Sequence, residues 1–75
     1  MSVYLSELQE KDIISINTGL NYGHIIDVQI NDEGKIIKLV AEPQKLFKKF
    51  SVNSEIAFTY EDIKKIGKDV ILVNI

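Results

Sequence analysis

Cysteine is absent from the 75 residues, and so is arginine. The first absence excludes a disulfide framework and any thiolate zinc centre. The second removes the side chain that usually makes bidentate contacts to phosphate and guanine, which argues against sequence-specific DNA recognition and weakens the case for RNA. No apolar run approaches the roughly 18 residues needed to span a bilayer. The start, Met1-Ser2-Val3-Tyr4-Leu5-Ser6-Glu7, has neither the basic nor the apolar region of a leader peptide. The expectation is a cytoplasmic chain with no membrane span and a modest net charge of −2.

Chemistry-bearing groups are equally scarce. His24 is the single histidine, and a zinc or iron site would need further ligands converging on it. Asp27 lies three residues on, which places it on the opposite face of a strand. With one histidine and no G-x-S-x-G, no nucleophile pairing is indicated for Ser2, Ser6, Ser15, Ser51 or Ser54. The four glycines form no phosphate loop, and Gly19 and Gly23 read as the two ends of a turn. No catalytic residue, metal ligand or cofactor site is assigned, and the chain reads as non-enzymatic.

What the sequence has is β-branched bulk. Thirteen Ile and six Val stand against two Ala, a composition that favours pleated, half-buried surfaces. A chain of this length makes one domain, residues 1–75, and buries only about 60% of its unfolded surface. Such a thin core points to help from a partner subunit.

Leu5-Ser6-Glu7-Leu8-Gln9 reads as one helical turn with Ser6 as N-cap, Gln9 as its capping-box partner and Leu5 stapled inward. Asp12–Ile16 is a first strand, and Gly23–Ile30 a second, with Ile26, Val28 and Ile30 sharing one face. Lys35–Glu42 is a third strand, apolar on both faces and stopped by Pro43. Glu55–Tyr60 alternates, with Ile56, Phe58 and Tyr60 inward. Glu61–Gly67 has its acids first, its lysines last and a terminal glycine, the pattern of a short helix. Val70–Ile75 is the last strand.

His24 to Gly34, "HIIDVQINDEG", gathers Asp27, Asn31, Asp32 and Glu33 as well as the histidine. The spacing does not fit a calcium loop, which needs alternating oxygen ligands and a distal Glu. Asn31-Asp32-Glu33-Gly34 between two apolar strands is instead a hairpin turn. Five short strands with brief helical turns predict an all-β fold, a small, SH3-like, partly open barrel. The competing arrangement is an open antiparallel sheet that dimerises through an edge or a face.

One stretch stands out as a candidate interaction surface: Lys45, Phe47, Lys48, Lys49 and Phe50, interleaving cations and aromatics. With Lys64 and Lys65 it offers an alternative RNA- or ribosome-associated function. Three loop lysines give only modest counterion release, so nucleic acid is the less favoured partner. The plainer reading has Leu46 and Phe50 plugging one end of the barrel while the lysines stay solvated.

These landmarks resemble the PRC-barrel domain and, within it, the short sporulation proteins of the YlmC/YmxH type. The resemblance runs through Leu5-Ser6-Glu7-Leu8, Lys11-Asp12-Ile13-Ile14, the Gly19…Gly23-x-Ile25-x-Asp27-Val28 segment and Gly34-Lys35-Ile36. Its most specific part is Tyr60-Glu61-Asp62-Ile63-Lys64-Lys65-Ile66-Gly67-Lys68-Asp69-Val70-Ile71-Leu72-Val73. Thr59-Tyr60 stands where such proteins usually have Pro-Trp, which passes the aromatic packing role to Tyr60. The resemblance implies a partly open barrel serving protein contacts rather than chemistry, as in the reaction-centre H subunit and a ribosome maturation factor. It also implies an endospore-forming Gram-positive source, an undefined molecular role and an unknown protein partner. The expected assembly is a homodimer.

Overall fold

The computed structural model describes residues 2–43 and 55–75. The chain begins with a helix, α1 (Leu5–Gln9), followed by strands β1 (Asp12–Ser15), β2 (His24–Ile30) and β3 (Ile36–Glu42). After Pro43 come β4 (Ile56–Phe58), a 3-10 turn (Tyr60–Asp62), β5 (Ile63–Ile66) and β6 (Val70–Val73). The described residues thus hold six strands rather than about five. They form two three-stranded sheets, ordered β1-β6-β5 and β2-β3-β4, which are not closed into one ladder.

The extra strand is β5, where a helix is predicted. Ile63 pairs with Val73 and Ile66 with Ile71, and a bulge at Lys64 lies between them. A bulge adds one residue to one strand, so apolar side chains three apart come to the same face. Helical spacing in the sequence therefore arises here from a bulged strand, and two β-branched residues in four favour that outcome.

β2 repeats the device. Ile25 pairs with Ala41 and Asp27 with Val40, leaving Ile26 as the extra residue. The buried residue is Ile25, Val28 is half-buried behind it, and Ile26 and Ile30 face solvent. Of the expected inward row, Val28 packs against the core, Ile25 takes the place of Ile26, and Ile30 is exposed at the far end of the hairpin. On β3, apolar on both faces in the sequence, Leu39 and Ala41 are the buried residues, whereas Ile36 and Ile37 are exposed because the hairpin outruns the core.

The core joins Leu8, Ile13, Ile25, Leu39, Ala41, Phe58, Ile71 and Val73. Its centre is the parallel pair β1 and β6, which sets Ile13 opposite Ile71 and Ser15 opposite Val73. Each fully buried Ile contributes about 1.5–3 kcal/mol relative to exposure. Ser15 is the buried polar residue among those described, at 1% exposure. Its Oγ donates to the main-chain oxygen of Ile75 at 2.7 Å and accepts from the Asn17 and Thr18 N–H groups, both at 3.1 Å. That bonding removes the desolvation penalty of an unpaired hydroxyl.

Five residues are too few for an independent helix, and α1 is held by tertiary contact. Leu8 enters the core, and Gln9 Nε2 donates to the Ile25 carbonyl at 3.3 Å. The N-cap position belongs to Tyr4, without a side-chain cap, so Ser6 lies inside the helix and Gln9 closes no capping box. Leu5 is partly solvent-facing rather than stapled inward. The reciprocal capping pattern occurs instead at the 3-10 turn, where the Thr59 side chain accepts from the Asp62 N–H and Asp62 Oδ2 accepts from the Thr59 N–H at 3.0 Å.

Candidate functional site

Asn31 to Gly34 is the hairpin turn the sequence indicates. The Gly34 N–H donates to the Asn31 carbonyl at 2.9 Å, and Asn31 Oδ1 accepts from the Glu33 and Lys35 N–H groups. Gly34 adopts φ +83°, the left-handed region that glycine enters without strain. Asp27 uses its carboxylate locally, accepting from the Val28 N–H at 2.8 Å. The Asp27 and Asn31 side chains thus serve the main chain.

His24 does have a partner, one that sequence spacing does not reveal. Its Nε2 lies 3.4 Å from Asp12 Oδ1 and its Nδ1 lies 3.1 Å from the Lys11 main-chain oxygen. The pair sits in a small polar cleft with Asn21, Gly23 and Pro43. Both side chains remain nearly half exposed. Asn21 Oδ1 is engaged by the Gly23 N–H at 2.7 Å. Among the described residues no three His, Cys, Asp or Glu side chains come together as a metal site. The cleft ties the start of β2 to the start of β1.

A second concavity has the opposite character. A groove of about 460 Å³ opens between the N-terminal segment, the tip-proximal part of β3 and the 3-10 turn. Leu8 and Leu39, both core residues, line it together with Val3, Leu5, Ile36 and Tyr60. The last four are substantially exposed, and Tyr60 most of all at 58%. Tyr60 is thus not the packing aromatic the sequence pattern indicates. β4 stops at Phe58, and the chain turns before Tyr60 reaches the core side.

Lys35 is the charged residue in the groove lining. Among the described residues its ammonium makes no ion pair. The volume falls within the range typical of small-ligand and anchor-residue pockets. Apolar side chains gathered around a concavity mark a surface suited to contact rather than to solvation.

The PRC-barrel domain family matches residues 1–75. The chain belongs to the PRC-barrel family. Among curated proteins, this PRC-barrel chain is similar to one described as a probable sporulation protein, YlmC, from Bacillus subtilis. The two are 35% identical over 75 residues, covering 97% of this chain and 93% of that protein. It is also similar to an uncharacterized protein from Clostridium acetobutylicum, 38% identical over 71 residues and covering 93% and 82% of the two chains. No helix among the described residues of the PRC-barrel chain is long and apolar enough to cross a membrane.

Lys45, Phe47, Lys48, Lys49 and Phe50, the surface singled out by sequence, lie outside the described residues. The groove was not legible beforehand. Its one sequence signal is the pair of apolar residues Val3 and Leu5 at the start of a helix too short to bury both.

Proposed function

We propose that this PRC-barrel chain is a non-enzymatic, cytoplasmic module, one domain over residues 1–75, that acts in endospore formation through protein contacts. The observation that carries this reading is the groove of Val3, Leu5, Ile36 and Tyr60, whose apolar side chains face solvent around a concave floor. The association with sporulation rests on the similarity to the Bacillus subtilis protein. The buried Ser15 hydroxyl is committed to main-chain bonds, which favours a structural role for it over a nucleophilic one.

The working form is a homodimer. Ile26, Ile30 and Ile37 expose β-branched surface on the β2–β3 hairpin away from the groove walls, and a thin core gains from covering it. The stretch Lys45, Phe47, Lys48, Lys49 and Phe50 remains a further candidate contact surface by its composition. Capture by the full chain from sporulating cells, followed by protein identification, tests the reading. A defined protein retained in near-equimolar amount supports it, and recovery of nothing beyond an unrelated control of the same charge overturns it.

A further inference from the structure

The groove and its cation together specify more than a generic contact. Its floor is Leu8 and Leu39, its walls are Val3, Leu5, Ile36 and the Tyr60 ring, and Lys35 stands at the lining as the charged member. Asp32 and Glu33 share the hairpin turn with Lys35, yet neither forms an ion pair with it. Nor does the Tyr60 hydroxyl have a hydrogen-bond partner among the described residues. An apolar concavity with one available cation and one available hydroxyl at its margin is complementary to an apolar side chain carried next to a carboxylate.

We propose that this groove docks a segment of a partner protein in which a bulky apolar residue is followed by Asp or Glu. The apolar side chain fills the space over Leu8 and Leu39, and the carboxylate accepts from Lys35 Nζ. The apolar contact supplies most of the affinity, because an exposed ion pair contributes little. The carboxylate sets direction and selectivity. Lys35 is held in place by its own main chain, since the Lys35 N–H donates to Asn31 Oδ1 and its carbonyl accepts from the Asn31 N–H at 2.9 Å. A one-residue register slip in the hairpin would therefore move the cation away from the groove. This inference rests on the protein-contact reading and deepens it.

The test is titration of the full ¹⁵N-labelled chain with three capped tetrapeptides: Gly-Trp-Asp-Gly, its neutral twin Gly-Trp-Asn-Gly, and Gly-Gly-Asp-Gly. The first should perturb amides at Leu8, Gly34, Leu39 and Tyr60 saturably, and bind about two- to fivefold more tightly than its neutral twin. The third should not bind. Lys35→Gln should abolish the preference between the first two while leaving the remaining spectrum in place. Equal affinity for the two Trp peptides, or perturbations centred elsewhere, would overturn the proposal. Groove shifts that follow protein concentration without peptide would overturn it too, because a second copy would then be the occupant. Capture of a cellular partner that survives Tyr60→Ala would leave the protein-contact function standing and remove the groove as its site.

Discussion

Gly23 lies directly against the main-chain carbonyl of Glu42, with no room for a side-chain carbon between them. The contact locks the turn leaving β1 onto the end of β3, just where Pro43 stops the strand. Gly23 also has φ +83°, so a substitution meets both a clash and a strained backbone. Gly23→Ala should lose about 2–5 kcal/mol, combining the left-handed penalty with a forced backbone shift. Gly19 is a matched control: its φ is +77°, but a Cβ there meets nothing within 4 Å. Gly19→Ala should cost only about 1 kcal/mol. Urea denaturation of both variants at one protein concentration checks the difference.

Ser15 holds the end of the described chain to the turn after β1. Ser15→Ala leaves the Asn17 and Thr18 N–H groups without their acceptor, while the Ile75 oxygen keeps only its bond from Asn17 Nδ2 at 3.1 Å. The expected loss is about 1–3 kcal/mol. Hydrogen exchange should quicken at Asn17 and Thr18 more than at Leu39, which lies in the other sheet.

Core and groove substitutions should separate. Ile71→Ala, at a fully buried position facing Ile13, should cost about 2–5 kcal/mol. Ile36→Ala removes a side chain that is 53% exposed and should cost under about 1 kcal/mol. Its effect should fall on partner binding instead, which a paired measurement of denaturation and capture would resolve.

How much of this was legible beforehand follows from where the strands are regular. The Asn31–Gly34 turn and the stop at Pro43 follow from local chemistry. The inner faces of β2 and β5 do not, because each contains a bulge. Alternation assigns Ile26 to the interior beside Val28, whereas the bulge puts Ile25 there. In β5 the same displacement makes Ile63 and Ile66 resemble two turns of a helix face. One extra residue reverses the parity of everything beyond it, and sequence alternation carries no mark of it. The groove was hidden for a related reason: assigning Tyr60 inward filled the space that it actually borders.

The RNA-associated alternative makes a separate demand. Lys64 and Lys65 are exposed on β5, an edge strand where lysines also discourage pairing with other chains. In a chain without arginine and with net charge −2, retention on RNA at low salt should be absent. Reversal of Lys45, Lys48 and Lys49 to Glu should then change nothing in that assay. Salt-sensitive retention lost on reversal would favour the alternative.

Light scattering addresses the assembly. Across micromolar concentrations the mass should be that of a dimer, twice 8.5 kDa. A monomer throughout that range would remove the homodimer.

The most direct measurement places a photo-crosslinking amino acid at Ile36, inside the groove, and at Lys38, on the outer face of the same strand, in sporulating cells. The expected result is one defined protein joined through position 36 and not through position 38, with an apolar-acidic segment at the crosslinked site. Crosslinking at neither position, or equally at both, would contradict a groove built for protein contact.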